Sequence, residues 1–116
     1  MSGTILKYPS HWQKAFQEGR KISMATCYDY SMARLLSRTN VDALLVGDSL
    51  GMVIQGKRST VPVSVDEIIY HAEMVRRGAP DQFLLVDMPA GSYHASIESA
   101  VANAMEIMKR TGADGL

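Results

Sequence analysis

The chain is short of the features that mark several large classes of protein. It has one cysteine, Cys27, so no internal disulfide can form, and a reducing, cytoplasmic setting is expected. It has no surplus of either charge, because twelve Lys and Arg balance twelve Asp and Glu. No basic cluster exceeds Lys57-Arg58 or Arg76-Arg77, and the electrostatic footprint of a nucleic-acid binder is missing. No apolar run nears the roughly 18 residues that a membrane-spanning helix needs, and the amino terminus has no signal-peptide apolar segment. What remains is 116 residues, 47% hydrophobic and 21% charged, enough for one domain with a core and too apolar for disorder.

Two stretches carry the chemistry. Leu44-Leu45-Val46-Gly47-Asp48-Ser49-Leu50-Gly51 is an apolar run that stops at a glycine, with an acid and a hydroxyl directly after it. Phe83-Leu84-Leu85-Val86-Asp87-Met88-Pro89 repeats the arrangement. Runs without alternation are what burial on both faces of a parallel sheet requires, and such folds build ligand sites where strands emerge at their carboxyl ends.

Taken in order, residues 1–9 lack periodicity and read as an arm. Ser10 is the expected cap of a helix within residues 10–19, with Trp12 and Phe16 on one face and Gly19 as its stop. From residue 20 onward strands and helices alternate. A strand over 22–26 is followed by a helix over 31–38 capped by Asp29, and a strand over 41–46 by a long loop over 47–63. Ser64-Val65-Asp66-Glu67 is a capping box, with Val63 and Ile68 placed for a hydrophobic staple. Val65, Ile68, Ile69, Ala72 and Val75 form the apolar stripe of that helix, Gly78 and Pro80 end it, and Arg76-Arg77 reads as a solvated terminus that complements the dipole. A strand over 83–86 leads to a helix over 97–110 capped by Ser96, with Ile97, Ala100, Val101, Ala104 and Met108 as its expected inner side. Ala113-Asp114-Gly115-Leu116 looks like the start of a fourth strand. This order fits an open doubly wound sheet or part of an eight-stranded barrel, and the abrupt ending favours part of a barrel, which needs about 250 residues.

The chemistry of single residues leaves alternatives open. Asp48 alone is equally a Gly-Asp turn cap, and Asp87 alone a helix or turn cap, whereas the pair at matching strand ends points to a shared cation. Ser49 has no histidine base near it in sequence and suits a hydrogen bond to substrate rather than nucleophilic attack. Cys27 reads as a small buried hydrophobe, and Tyr28 and Asp29 as structural, with pocket lining the second option for both. His11 and His71 fall on surfaces or helix faces; His94, near the Asp87 loop, is a further ligand candidate.

At Val46-Gly47-Asp48-Ser49-Leu50-Gly51 the chain resembles the ketopantoate hydroxymethyltransferases, the 3-methyl-2-oxobutanoate hydroxymethyltransferases of pantothenate and coenzyme A biosynthesis. The likeness takes in Thr26-Cys27-Tyr28-Asp29-Tyr30-Ser31, Gln55-Gly56, Ser59-Thr60-Val61-Pro62-Val63, Val75-Arg76-Arg77-Gly78-Ala79-Pro80 and Val86-Asp87-Met88-Pro89, and runs from about residue 22 to 116. It implies an α/β fold, a (β/α)8 TIM barrel of which residues 1–116 supply the amino-terminal helix and about the first three βα units. It also implies Mg2+, 5,10-methylenetetrahydrofolate as co-substrate, a 2-oxo acid substrate and a large homo-oligomer such as a decamer, with neither nucleic acid nor membrane as partner. Asp48 and Asp87 match the family's Mg2+ ligands, and Ser49, with the same two acids, its substrate contacts. The implied reaction removes the C3 proton of 3-methyl-2-oxobutanoate to give a Mg2+-stabilised enolate, which takes up the one-carbon unit and yields 2-dehydropantoate.

The family's substrate-binding lysine and a further acid follow the position of Leu116, and the glutamate that acts as base comes later still. No catalytic residue is therefore expected within residues 1–116, and the chain alone should bind metal weakly and catalyse nothing. Ala90 stands where the family often has an aromatic. Two other readings remain: a phosphoenolpyruvate mutase or isocitrate lyase-like Mg2+ enzyme, and a receiver-type phospho-acceptor signalling domain, whose acceptor aspartate followed by Met-Pro is superficially similar to Asp87-Met88-Pro89.

Overall fold

The computed structural model describes residues 6–116. The first five residues of the expected arm lie outside that range. Three short strands, β1 (Met24–Thr26), β2 (Ala43–Val46) and β3 (Phe83–Val86), form one parallel sheet in the order β1-β2-β3. The register pairs Met24 with Ala43, Ala43 with Phe83, and Val46 with Val86, so the carboxyl ends of β2 and β3 lie side by side. The helices are α1 (Pro9–Gln17), α2 (Tyr30–Leu36), α3 (Leu50–Val53), α4 (Val65–Gly78) and α5 (Ile97–Thr111).

The main core lies between the sheet and α4. Leu44, Val46, Leu84 and Val86 from the strands meet Ile68, Ile69, Ala72 and Val75 from α4, all with 2% exposure or less. The expected α4 stripe is thus correct apart from Val65, which is only half-buried. Its capping box is present as read: Ser64 Oγ accepts from Glu67 N (3.1 Å), and Glu67 Oε1 accepts from Ser64 N (2.9 Å). Flanking helices α2 and α5 pack on α4. At Gly78 a Cβ would sit 2.7 Å from both Ala33 Cβ and Tyr30 O, so α2 and α4 approach as closely as they do only because that side chain is absent.

The opposite sheet face is covered at the amino-terminal ends of the strands. There Leu6, Ala43 and Phe83 are buried, with Trp12 packed edge-on to Phe83 at 5.0 Å between ring centroids. Trp12 thus docks α1 on the sheet, whereas Phe16, placed on the same helix face by its spacing, is 79% exposed. It does line, with Trp12, Met24, Phe83 and Leu85, a cavity of about 460 Å³ beneath α1.

Several boundaries differ from the sequence expectation. Ser10 is not the cap of α1. Tyr8 occupies that position, Pro9 is the first helical residue, where its missing N–H costs nothing, and His11 Nδ1 accepts from the amides of Lys7 and Tyr8. The loop over 47–63 is not structureless, since α3 lies inside it. The stripe expected to bury α5 is right only in its two alanines, Ala100 and Ala104, which are half-buried on the same side as Ile107. Ile97, Val101 and Met108 are exposed, while Ile107 and Thr111 are buried. Arg76 is no solvated terminus. Its guanidinium donates to the carbonyls of Ala79, Pro80, Gln82 and Gly112 and pairs with Asp114 Oδ2 at 2.6 Å. Asp114 Oδ2 also accepts from Leu84 N (3.0 Å), and Gly115 forms one parallel bridge with Leu85 where a fourth strand was anticipated, short of a strand of its own.

Candidate active site at the carboxyl ends of the strands

Strands β1 and β3 each continue their ladder with β2 by one residue before the chain turns. Cys27 N donates to Leu45 O (2.9 Å) and Asp87 N to Val46 O (3.0 Å). The residues that follow, Tyr28 after β1, Asp48 and Ser49 after β2, and Asp87 after β3, are therefore delivered to one edge of the sheet. The Asp87 carboxylate leans across to β2, where its Oδ2 accepts from Asp48 N at 3.0 Å. Gly47 is what makes this possible. A Cβ there would lie 3.2 Å from Asp87 Oδ2 and 3.2 Å from Ser49 Oγ, so both oxygens crowd over the space that a side chain would fill.

Ser49 stands at the N-cap position of α3, yet its hydroxyl makes no capping bond. It lies instead 2.6 Å from Tyr28 Oη, within hydrogen-bond distance. The Tyr28 ring packs against the main core, and its carbonyl sits 2.7 Å from His71 Nδ1. A carbonyl can only accept, so His71 carries its proton on Nδ1 in this contact. Sequence reading placed His71 on a helix face and Tyr28 among structural residues; neither signal pointed to their junction with Ser49. Asp29 is structural as expected, its Oδ1 accepting from Met32 N (2.7 Å) at the start of α2.

Among the described residues no hydrogen bond joins His94 to either acid. Its Nδ1 accepts from Gly91 N (3.0 Å), and its ring stacks on Tyr93. The loop it belongs to is pinned by a residue that sequence reading missed: Asn103 Nδ2 of α5 donates to Ser92 O at 2.7 Å, and the buried Ser92 hydroxyl donates to Pro89 O. Nothing local in the sequence marks Asn103, a single polar residue within an amphipathic helix.

Two titrating groups near the site are shifted. Burial pushes the Cys27 thiol up, which makes it a poor thiolate and agrees with its reading as a small hydrophobe. The Ser64 amide holds the Glu67 carboxyl below its ordinary value, with Gln55 Nε2, donating to Glu67 Oε2 at 2.6 Å, as a further cause. The Gln55–Glu67 bond ties the long loop after β2 to α4.

The donor set suits a hard cation that keeps much of its own solvent. Among the described residues the Asp48 carboxylate has no hydrogen-bond or ion-pair partner, and neither has Asp87 Oδ1, although both residues are half-buried. Half-buried carboxylate oxygens without donors are the chemistry that a divalent ion satisfies. No group of three or more ligating side chains occurs among the described residues, so these two acids would leave further coordination positions to water or substrate.

Comparison with known proteins now bears directly on this arrangement. A family model described as ketopantoate hydroxymethyltransferase matches residues 8–116. The chain belongs to this family. It is 51% identical over 113 residues to a Leptospira biflexa protein named 3-methyl-2-oxobutanoate hydroxymethyltransferase, covering 97% of this chain and 41% of the relative. Proteins of the same name from Leptospira interrogans (55% over 96 residues; 83% of this chain, 36% of the relative) and Clostridium botulinum (48% over 116 residues; 100% and 41%) are similarly close. The chain thus spans about two-fifths of the length of these hydroxymethyltransferase relatives. Family membership sets aside both the receiver-domain and the phosphoenolpyruvate mutase-like readings. No helix among the described residues is long and apolar enough to cross a membrane.

Proposed function

We propose that the chain supplies the metal- and substrate-binding edge of an enzyme that transfers a hydroxymethyl group from 5,10-methylenetetrahydrofolate to 3-methyl-2-oxobutanoate, giving 2-dehydropantoate for pantothenate synthesis. The observation that carries the reading is the Asp87 carboxylate reaching over Gly47 to the Asp48 amide, which puts two acids at the ends of adjacent parallel strands. In this reading Asp48 and Asp87 hold Mg2+, and Ser49 donates to the carboxylate of the 2-oxo acid. What a divalent ion supplies when bound there is charge stabilisation of the enolate left when C3 loses its proton.

The chain's own residues do the positioning. Asp87 is fixed by the amide of Asp48, and Asp48 by the short turn into α3. The parallel sheet, with α4 packed on one face and flanked by α2 and α5, and a parallel bridge from Gly115 to Leu85 of β3, fits the first part of a (β/α)8 barrel. The proton-abstracting base is contributed by sequence beyond residue 116, so residues 1–116 by themselves are inactive. The complete protein works in the cytoplasm as a homo-oligomer.

The test is hydrogen exchange at C3. The complete protein with Mg2+ and without folate should exchange the C3 proton of 3-methyl-2-oxobutanoate for deuterium, and Asp87→Asn should abolish this. Exchange that persists undiminished in Asp87→Asn, or that ignores chelation of the metal, would overturn the assignment.

A further inference from the structure

The Tyr28–Ser49 contact has no part in holding the fold that other bonds do not already play. The Tyr28 ring is anchored by the main core and its carbonyl by His71, so the phenol oxygen is held independently of Ser49. The backbone of Ser49 is itself helical, with φ −56° and ψ −16°, so its hydroxyl is not drawn into capping α3 and is left for another partner. The hydroxyl lies 2.6 Å from the phenol instead, and 3.2 Å from the point over Gly47 that Asp87 Oδ2 also approaches at 3.2 Å.

We infer that Tyr28 is a positioning residue, which fixes the rotor of Ser49 so that the serine proton is presented to the carboxylate of the 2-oxo acid. This rests on the proposed substrate reading above. A serine hydroxyl has one proton and two acceptor positions and turns freely unless something holds it. The phenol donates to Ser49 Oγ, which uses one acceptor position and leaves the serine proton for a second partner. An anionic substrate oxygen is the partner that gains most, because a donor that is itself accepting a hydrogen bond is polarised in the same sense. Tyr28 touches Ser49 and acts through it; His71, donating to the Tyr28 carbonyl, keeps the end of β1 in place for the same purpose.

The test compares Tyr28→Phe, Ser49→Ala and the double variant in the complete enzyme, with KM for 3-methyl-2-oxobutanoate and kcat measured separately. Removing the phenol oxygen deletes one hydrogen bond from the ground-state and transition-state complexes alike, so the loss should fall on KM. Tyr28→Phe is expected to raise KM about 5-fold and Ser49→Ala about 20-fold, the range of one neutral and one charge-assisted bond. The double variant should match Ser49→Ala, because the phenol has no role once the serine hydroxyl is gone. Circular dichroism and the thermal midpoint of Tyr28→Phe should stay at the wild-type values, which separates positioning from a folding defect. An unchanged KM in Tyr28→Phe, or effects of the two single changes that multiply fully in the double variant, would overturn the inference while leaving the enzyme assignment standing. A wild-type protein that fails to turn over the 2-oxo acid would overturn both.

Discussion

Replacing Arg76 by methionine should destabilise the protein far more than removal of a helix-terminal charge normally does. Its guanidinium meets four backbone carbonyls and the Asp114 carboxylate, and the two paired side chains are only 18% and 12% exposed. Methionine keeps the apolar stem and deletes every donor. Asp114 would then be left half-buried with the Leu84 amide and a distant Lys7, 3.8 Å away, as its remaining partners. Loss of one member of a buried pair costs about 3–5 kcal/mol, and because neither side chain is fully dry we take the lower end, about 3 kcal/mol. With urea slopes of about 1–3 kcal/mol/M, the unfolding midpoint should fall by ~1 M or more. Arg76→Lys should recover less than half, since a single ammonium cannot serve carbonyls on both sides of the fork. The measurement is urea denaturation of the complete protein followed by circular dichroism. A midpoint for Arg76→Met within experimental scatter of wild type would show that the contacts at this corner carry little energy, and would refute the reasoning.

Gly78→Ala should cost about 1–3 kcal/mol, because the new methyl meets Ala33 Cβ and the Tyr30 carbonyl at 2.7 Å and neither can swing aside; a thermal midpoint equal to wild type would contradict this. The capping box predicts a pH dependence. The folded-state pKa of Glu67 lies below its ordinary value of 4.5, so the stability it contributes is fully present above 4.5 and is lost as pH falls through the lower folded value. Glu67→Gln should flatten that acid limb of the stability curve, read by urea midpoints across the range, and an unchanged limb would count against the cap as its cause.

The elements most legible in the sequence were those with a local physical signature. Ser64 and Glu67 can satisfy each other's orphan amides whatever surrounds them, and 83–86 is an apolar run of strand length, so α4 and β3 were found with correct starts. The acids after β2 and β3 were legible for the same reason, as was the placement of both at one edge. What was not legible depends on tertiary partners. Helix α5 carries apolar residues on two sides, and only packing against α4 decides that Ile107, rather than Ile97 and Val101, goes inside. Arg76 is indistinguishable by pattern from its exposed neighbour Arg77 until Asp114 is placed beside it, 38 positions along the chain. Tyr28 met Ser49 across 21 positions for a similar reason, through the pairing of β1 with β2. The true start of α1 was signalled by Pro9, whose preference for the first helical position outweighed the capping tendency of Ser10.

The claim on which the account depends is that one divalent ion is held jointly by Asp48 and Asp87. Titration of the complete protein with Mg2+ or Mn2+, followed calorimetrically, tests it most directly. Loss of a residue that merely supports a metal ligand weakens binding about 10–100-fold, so Asp48→Asn and Asp87→Asn should each weaken it by at least ~10-fold, with one ion bound per chain in the wild type. Binding that survives either substitution at wild-type affinity would contradict the account.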